Sequence, residues 1–283
     1  MKKLIFVSSV SAAVFAVLWI IRLFSLTTDA LILSLIGAVL FFFGAVVLKI
    51  LFPRVRVNRF FSLKPMILHE WELTLSTTVL LISGSFLLNY FTSFLYELLA
   101  ITAPRAFAGT DYPSVSVALL CVSVLPALFE EIFFRGAVLS SLRSSKMKTA
   151  AMILISAFLF MVLHGPGWYF LSDFYAGSVL ALLVCFTGSL YSSVVAHFLA
   201  NTASYFLALY GGRLEDAGIK NLPLHVAVIC FLAASCHILH LLKKIIIRRD
   251  AEDRSRVNEN SRRWEEKKKG EKDHGNQGKE VES

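Results

Sequence analysis

The chain has 283 residues, of which 56% are hydrophobic and 24 are phenylalanine, and it carries a formal net charge of +8. Soluble domains are about half apolar, so this composition excludes an ordinary soluble globular protein and indicates an integral membrane protein. The basic charge does not indicate a nucleic-acid partner, because the sequence has no zinc-finger spacing, helix-turn-helix signal or aromatic-basic platform.

The first apolar run begins after two lysines and has the general form of a secretory signal, with small residues before a possible cleavage point after Ala16. The run continues to Ile21, which makes it about long enough to cross the ~30 Å hydrocarbon core of a bilayer. We therefore predict a first transmembrane helix that is retained in the mature chain.

Further runs of spanning length follow along the chain, and together with the first they predict an all-α, polytopic bundle of about eight transmembrane helices. Lysine and arginine concentrate in alternate connections, as they do on the cytoplasmic side of membrane proteins, so both termini are predicted to be cytoplasmic. We expect a multi-pass protein of a bacterial plasma membrane. The additional runs are residues 30–52, 73–101, 115–142, 149–164, 168–189, 190–210 and 223–245.

Composition divides the chain into four predicted parts. Residues 1–114 form N-terminal transmembrane helices, 115–210 form a helical core that carries the polar motifs, and 211–245 form a C-terminal transmembrane helix. From Lys243 onward the chain holds 13 of its 28 Lys and Arg residues and 10 of its 20 acids. Because such a segment buries too little apolar surface to offset its ordering entropy, residues 246–283 are predicted to be a disordered, charged cytoplasmic tail.

The stretch FEEIFFRG places Glu130, Glu131 and Arg135 in the fourth predicted helix. Glu130 would lie roughly 18 Å from the cytoplasmic end of that helix. Placing a charged side chain at this depth in the membrane costs about 2.5 to 3.5 kcal/mol. Each of the three side chains should therefore face protein or water and find a partner. Glu131 and Arg135 are four residues apart and can form an ion pair on one helical face. Glu130 has Phe134 at that spacing, which leaves its carboxylate available.

Two later helices carry polar residues at similar predicted depth. FLFMVLHG ends in His164, with Phe160 one turn before it, and VVAHFLAN sets His197 and Asn201 on one helical face. If the fourth, fifth and seventh helices pack together, these side chains and Glu130 line one hydrated cavity. The depths agree only roughly, since His164 should lie above Glu130 and His197 below it.

This set of side chains suits hydrolysis of a peptide bond by an activated water. A carboxylate without its own cation can accept a proton from water. A histidine can hold that water, or both histidines can bind a metal ion that activates it. A second histidine and an asparagine amide can donate hydrogen bonds to the developing oxyanion.

In order and spacing, EEIFFR, FMVLH and HFLAN resemble the three motifs of the CPBP family, the CAAX proteases and bacteriocin-processing proteins, also called the ABI family of intramembrane endopeptidases. The resemblance covers about residues 115–205. It implies that Glu130 and His164 activate the water and that His197 with Asn201 stabilises the oxyanion. It also implies that Glu131 and Arg135 support the site as a structural ion pair.

The resemblance leaves the cofactor and the substrate open. The family has been described both as metal-independent glutamic proteases and as metalloproteases, in which case zinc or another divalent metal would be held by Glu130, His164 and His197. The implied partner, apart from the lipid bilayer, is a membrane protein or peptide, either CAAX-type and prenylated or a bacteriocin-like peptide.

Other functions fit these motifs less well. The HExxH, GxGD and GxSG signatures of other membrane proteases are absent. The alternative from a different class is a non-catalytic immunity or resistance factor, or a proton-coupled transporter, that uses the buried acids and histidines. No inverted repeat is evident, and the polar groups cluster in one half of the chain, which argues against a transporter.

Several polar residues lie outside the three motifs. Asp173, Glu97 and Asn89 are candidates for lining a substrate path. Cys236, His237 and His240 have a spacing that would suit a metal, but we interpret them as side chains that reach the membrane interface. The four cysteines, in apolar runs without CxxC spacing, are interpreted as small hydrophobic residues that give no sign of an oxidising compartment.

Overall fold

A computed structural model of the chain describes residues 2–23, 30–53, 57–99, 114–145, 147–164, 169–216 and 224–245. The described residues contain helices and no strands, which confirms the predicted all-α class. The predicted tail, residues 246–283, lies outside the described residues. The chain divides into two compact units, Met1–Ser235 and Cys236–Ser283, and the predicted four-part division by composition stays a prediction.

Eight long helices and one short helix make up the described residues. Their bounds are α1 Lys2–Leu23, α2 Ala30–Leu51, the short α3 Val57–Phe60, α4 Leu68–Leu98, α5 Val115–Ser144, α6 Thr149–His164, α7 Phe170–Thr187, α8 Leu190–Asp216 and α9 Leu224–Ile245. The eight long helices correspond one to one with the eight predicted runs. The orientation of the termini stays a prediction.

Five of the described helices are long and apolar enough to cross a membrane, namely α2, α4, α5, α7 and α9. The apolar stretch Ile5–Leu18 of α1 and the whole of α6 are shorter. Large apolar side chains such as Phe43, Phe158 and Ile229 are exposed on the outer faces of these helices. Exposed apolar faces on long helices fit a lipid environment, and the chain is an integral, multi-pass membrane protein.

Helix α5 is not a regular α-helix along its length. Two π-helical segments, Leu120–Val124 and Ile132–Val138, flank the α-helical segment Leu125–Glu131. Pro126, at the start of that α-helical segment, has no N–H to donate, so the regular hydrogen-bond ladder is interrupted there. Such π-helical turns are frequent at functional sites.

An aromatic core lies beside α5 and fixes its contacts with α2 and α6. The Phe133 and Phe134 rings are 5.1 Å apart in an edge-to-face arrangement, and both approach Phe41 of α2. Phe134 also packs edge-to-face on Phe160 of α6 at 5.1 Å. Edge-to-face pairs stabilise a core beyond the area that they bury, so these rings hold α5 and α6 in a fixed relation.

Helix α7 is packed tightly on two sides through glycines. A Cβ atom at Gly177 would lie only 2.9 Å from the Cα atom of Ala157 in α6. On α4, Gly84 lies against the Tyr175 ring, whose hydroxyl donates to the Leu80 carbonyl at 2.8 Å. Small residues allow helix backbones to approach closely in membranes, and here they bring the α7 backbone to the polar centre of the bundle.

Candidate active site

Glu131 of α5 is the centre of a fully buried polar network. Its Oε1 accepts a hydrogen bond from Arg135 Nη1 at 2.7 Å, and both side chains are 0% exposed. The predicted ion pair is therefore present with the predicted i, i+4 geometry. Arg135 Nη2 also donates to the Gly177 carbonyl of α7 at 3.1 Å. A buried charge pair of this kind needs such further hydrogen bonds to offset the desolvation of both ions.

His197 of α8 joins the same network. Its Nδ1 lies 2.9 Å from Glu131 Oε1, and the side chain is buried. Because a carboxylate only accepts hydrogen bonds, this contact assigns the proton to Nδ1 and leaves Nε2 as the second ring nitrogen. Glu131 thus binds both a cation from its own helix and a histidine from another helix.

Glu130 faces His164 instead. Its Oε2 is 3.8 Å from His164 Nε2, which is longer than a direct hydrogen bond. Among the described residues, Oε2 of Glu130 is buried without a hydrogen-bond partner. The His164 side chain is 34% exposed, whereas that of Glu130 is 12% exposed, so the histidine lies on the open side of the pair.

Phe160 links the two groups of polar side chains. The Arg135 guanidinium carbon lies 4.6 Å from the centre of its ring, a cation–π contact. The His164 ring is 4.4 Å away on one side and the His197 ring is 6.0 Å away on another. The Phe160 carbonyl also lies 2.9 Å from His164 Nδ1. The spacing in the sequence places Phe160 on the same face as His164, but it does not predict the contacts of Phe160 with Arg135 and His197.

Asn201 lies one turn after His197 on α8, as its spacing predicts. Its Nδ2 donates a hydrogen bond to the Val122 carbonyl of α5 at 2.9 Å. One of the two amide hydrogens is therefore bound to the backbone of α5, and the amide is held in a fixed plane. Helices α5, α6 and α8 thus converge as the sequence predicts.

The candidates outside the motifs lie in different places. Asp173 is partly buried near the start of α7 and interacts electrostatically with His164, Glu130 and His197. Asn89 Oδ1 is buried without a hydrogen-bond partner among the described residues, and Glu97 is exposed near the end of α4. Asp173 is the one of these three for which an interaction with the motif residues is found in the described part of the chain.

The suggested metal ligands Glu130, His164 and His197 lie on three different helices. Within the described ranges, no three His, Cys, Asp or Glu side chains are arranged to hold a metal ion. The contact with Glu131 occupies Nδ1 of His197 and leaves Nε2 as the ring nitrogen that could bind a metal ion. On α9, Cys236, His237 and His240 are all exposed. Metal binding by Glu130, His164 and His197 stays a prediction.

Comparison with known proteins bears directly on this site. Residues 112–203 match the family model described as Type II CAAX prenyl endopeptidase Rce1-like. Over this segment the chain is similar to the Rce1-like endopeptidases. The match confirms the resemblance to the CPBP family that the three motifs indicate. No curated protein and no solved structure matches the chain.

The Rce1-like segment comprises α5, α6, α7 and the first half of α8. It therefore includes Glu130, Glu131, Arg135, His164, His197 and Asn201. The match to this family supports protease activity in the membrane, with a membrane-associated peptide as the substrate.

Proposed function

We propose that the chain is an intramembrane endopeptidase in which Glu130 and His164 activate a water molecule for attack on a peptide bond. The observation that carries this proposal is the pairing of Glu130 Oε2 with His164 Nε2 across 3.8 Å, with that carboxylate oxygen buried and without a hydrogen-bond partner among the described residues. A gap of this length is too long for a direct hydrogen bond and suits a bridging water.

The contrast between the two adjacent glutamates supports Glu130 as the base. Oε1 of Glu131 accepts hydrogen bonds from both Arg135 and His197, so the charge of Glu131 is offset. Glu130 has no such bound cation on its own helix. Oε2 of Glu131 is also buried without a hydrogen-bond partner among the described residues, but that side chain is 0% exposed, whereas Glu130 is 12% exposed and faces His164. A general base must have a free lone pair within reach of the water that it deprotonates, and Glu130 meets that requirement better than Glu131.

The proposed reaction follows the usual course of acyl hydrolysis. Glu130 takes a proton from water held by His164, and the hydroxide forms a bond to the scissile carbonyl carbon. The tetrahedral oxyanion is stabilised by the Asn201 amide and by Nε2–H of an imidazolium His197, whose other proton, on Nδ1, stays bound to Glu131. The C–N bond then breaks, and Glu130 returns its proton to the leaving amine.

The contacts of His197 and Asn201 are compatible with this role. The Glu131 carboxylate fixes the His197 ring through Nδ1, which directs Nε2 away from the ion pair. The hydrogen bond from Asn201 to the Val122 carbonyl uses one amide hydrogen and leaves the second for the oxyanion. Donors that are fixed before the reaction need no reorganisation in the transition state.

For the substrate, we propose a peptide that reaches the site from the membrane. The family description names a CAAX prenyl endopeptidase, so a C-terminal peptide with a prenylated cysteine is the first substrate to test. A bacteriocin-like peptide is the second. No step of the proposed reaction is routed through a metal ion.

The test compares Glu130→Gln with Leu128→Ala in purified protein reconstituted in lipid. Leu128 is an exposed residue of the same α-helical segment and provides a matched control. With an internally quenched farnesylated CAAX peptide, Glu130→Gln should lower kcat by about 10² to 10⁴, the usual contribution of a general base. Wild-type turnover by Glu130→Gln would refute the proposal.

A second experiment identifies the substrate without assuming prenylation. Membrane fractions from cells that produce the wild-type protein or Glu130→Gln are compared by quantitative proteomics. An uncut protein or peptide should accumulate with the variant and not with Leu128→Ala. Identical peptide profiles would favour the immunity or transport alternative over proteolysis.

A further inference from the structure

A cavity of about 430 Å³ lies at the end of the bundle where α5 and α7 finish and α8 begins. Arg143, on its wall, is roughly 20 Å along α5 from Glu130, so the cavity is separate from the proposed reaction site. The sequence predicts that this end faces the cytoplasm. Two cations and no acid are found among the described residues that line the cavity, which include Asn58, Ser62, Lys64, Pro65, Arg143 and Gly188.

Hydrogen bonds hold one wall of the cavity, the connection between α3 and α4, onto the turn before α8. The Ser62 carbonyl accepts from the Leu190 N–H at 2.9 Å, and the Ser189 hydroxyl donates to the Lys64 carbonyl. Lys64 Nζ also lies 3.4 Å from the Thr187 carbonyl. Ser62 has a φ of 52°, in the left-handed region, and residues held in such conformations cluster at ligand clamps and other functional sites. The chain itself therefore builds these walls.

The two cations leave the cavity with an excess of positive charge. Lys64 Nζ is 2.7 Å from Glu70 Oε1, so an acid behind the wall offsets this charge. Arg143 is exposed, and no carboxylate pairs with it in the described part of the chain. Its Nη2 lies 3.7 Å from Cys185 Sγ, and a thiol does not offset the charge of a guanidinium.

We propose that this cavity binds the phosphate of an anionic phospholipid headgroup. A guanidinium can bind phosphate through two parallel hydrogen bonds, and a lysine ammonium adds a point charge. Leu63 and Pro65 give the cavity an apolar edge beside these cations, on which the glycerol end of a lipid can lie. Basic pockets between membrane helices on the cytoplasmic side bind such headgroups.

The same charges explain why an anionic lipid is favoured over a zwitterionic one. Phosphatidylcholine carries its own cation beside the phosphate, and Lys64 and Arg143 repel that group. Phosphatidylglycerol carries the phosphate charge with a neutral diol. Binding does not depend on the proposed peptide hydrolysis, so Glu130→Gln should bind lipid as the wild-type protein does.

Native mass spectrometry of the full-length protein, purified in detergent, tests the proposal. Dioleoylphosphatidylglycerol is titrated against dioleoylphosphatidylcholine, and we expect one molecule of the anionic lipid to bind at the lower concentration. Arg143→Gln and Lys64→Gln should each weaken this binding by about fivefold, the usual share of one cation near an anionic headgroup. Arg143→Lys keeps the charge and should retain most of the affinity.

The matched control is Lys148→Gln, which removes an exposed cation at the same end of the bundle that does not line the cavity. It should bind phosphatidylglycerol as tightly as the wild-type protein. Because Lys64→Gln also breaks the pair with Glu70, Arg143→Gln is the variant that decides if Lys64→Gln folds poorly.

A second measurement follows Tm in lipid nanodiscs. A ligand that binds only the folded state raises Tm, so phosphatidylglycerol added to phosphatidylcholine should raise Tm of the wild-type protein more than that of Arg143→Gln. In pure phosphatidylcholine the two proteins should unfold alike. Soluble glycerol phosphate, which has the same phosphate without acyl chains, separates a lipid from a soluble ligand and should bind far more weakly.

Three results would overturn the proposal. One is equal binding of the two lipids by the wild-type protein. Another is a loss of affinity in Lys148→Gln as large as that in Arg143→Gln, which would show diffuse attraction by the whole face. The third is binding of glycerol phosphate as tight as that of phosphatidylglycerol, which would assign the cavity to a soluble phosphate.

Discussion

Glu130 and Glu131 are adjacent in the sequence, yet their carboxylates serve different partners. Glu131 is fully buried and bound to Arg135 and His197, whereas Glu130 faces the partly exposed His164. Consecutive positions on a helix point about 100° apart, which is why one carboxylate enters the core while the other faces His164. This division of roles gives the following expectations.

Replacement of His164 should strongly lower turnover with little effect on folding. The side chain is 34% exposed and lies at the last residue of α6, so His164→Ala removes few core contacts. We expect kcat to fall by about 10² to 10⁴, because the attacking water loses one of the two side chains that hold it. Turnover and Tm are measured on the same preparation, and a loss of Tm that parallels the loss of kcat would contradict this role.

Replacement of Arg135 should damage stability first. Arg135→Leu leaves the buried Glu131 carboxylate without its cation, and breaking a buried pair from one side costs about 3 to 5 kcal/mol. Arg143→Leu is the matched control, because Arg143 lies on the same helix and is exposed. Unfolding in increasing denaturant compares the two, and equal midpoints would show that the ion pair does not support the fold.

A methyl group at Gly177 should push α7 away from α6. The new Cβ atom would meet the Ala157 backbone at 2.9 Å, and overpacking of this kind costs about 1 to 3 kcal/mol. The Gly177 carbonyl that binds Arg135 would move with the helix, so kcat should fall as well. Gly37→Ala is the control, since nothing lies within 4 Å of its Cβ position, and it should stabilise α2 by about 0.5 to 1 kcal/mol.

Chelation should leave the proposed activity unchanged. Nothing in the described part of the chain brings three potential ligands together, and the proposed water is held by Glu130 and His164 alone. Turnover of the farnesylated peptide is measured before and after treatment with EDTA and with phenanthroline, alongside elemental analysis of the purified protein. Loss of activity that added zinc restores would establish a metalloenzyme.

Much of the fold and part of the site follow from the sequence. The runs of apolar residues match the eight long helices because spanning length leaves little freedom in where a helix begins and ends. The Glu131–Arg135 pair follows from the i, i+4 rule, since both partners lie on one helix. The convergence of His164 and His197 on α5 follows from the three motifs taken together. A polar side chain inside the membrane is costly unless it contacts another polar group, so the polar residues of different helices are expected to meet.

The depths of the site residues in the membrane could not be derived from the sequence in the same way. Counting residues from the membrane surface places His197 below the level of Glu130, yet its ring contacts the adjacent Glu131. The reason is that α8 begins inside the protein: Ser189 and Leu190 are buried, and the Leu190 N–H donates to the Ser62 carbonyl at 2.9 Å. A helix that starts at a buried turn cannot be placed by hydropathy.

The contacts of Asn201 and Phe160 also could not be predicted from the periodicity of the sequence. The hydrogen bond from Asn201 to the Val122 carbonyl depends on how α5 and α8 pack, which the sequence does not specify. The cation–π contact between Arg135 and Phe160 likewise joins two helices whose relative rotation the sequence does not specify.

The buried turn before α8 also restricts which insertions such a chain can accept during evolution. Because the height and rotation of α8 are set at Leu190, one residue inserted between Leu190 and His197 would swing the imidazole about 100° around the helix axis. An insertion after Asn201, by contrast, would leave both motif side chains where they are. Variation in length is therefore tolerable beyond the third motif and forbidden between the turn and the histidine.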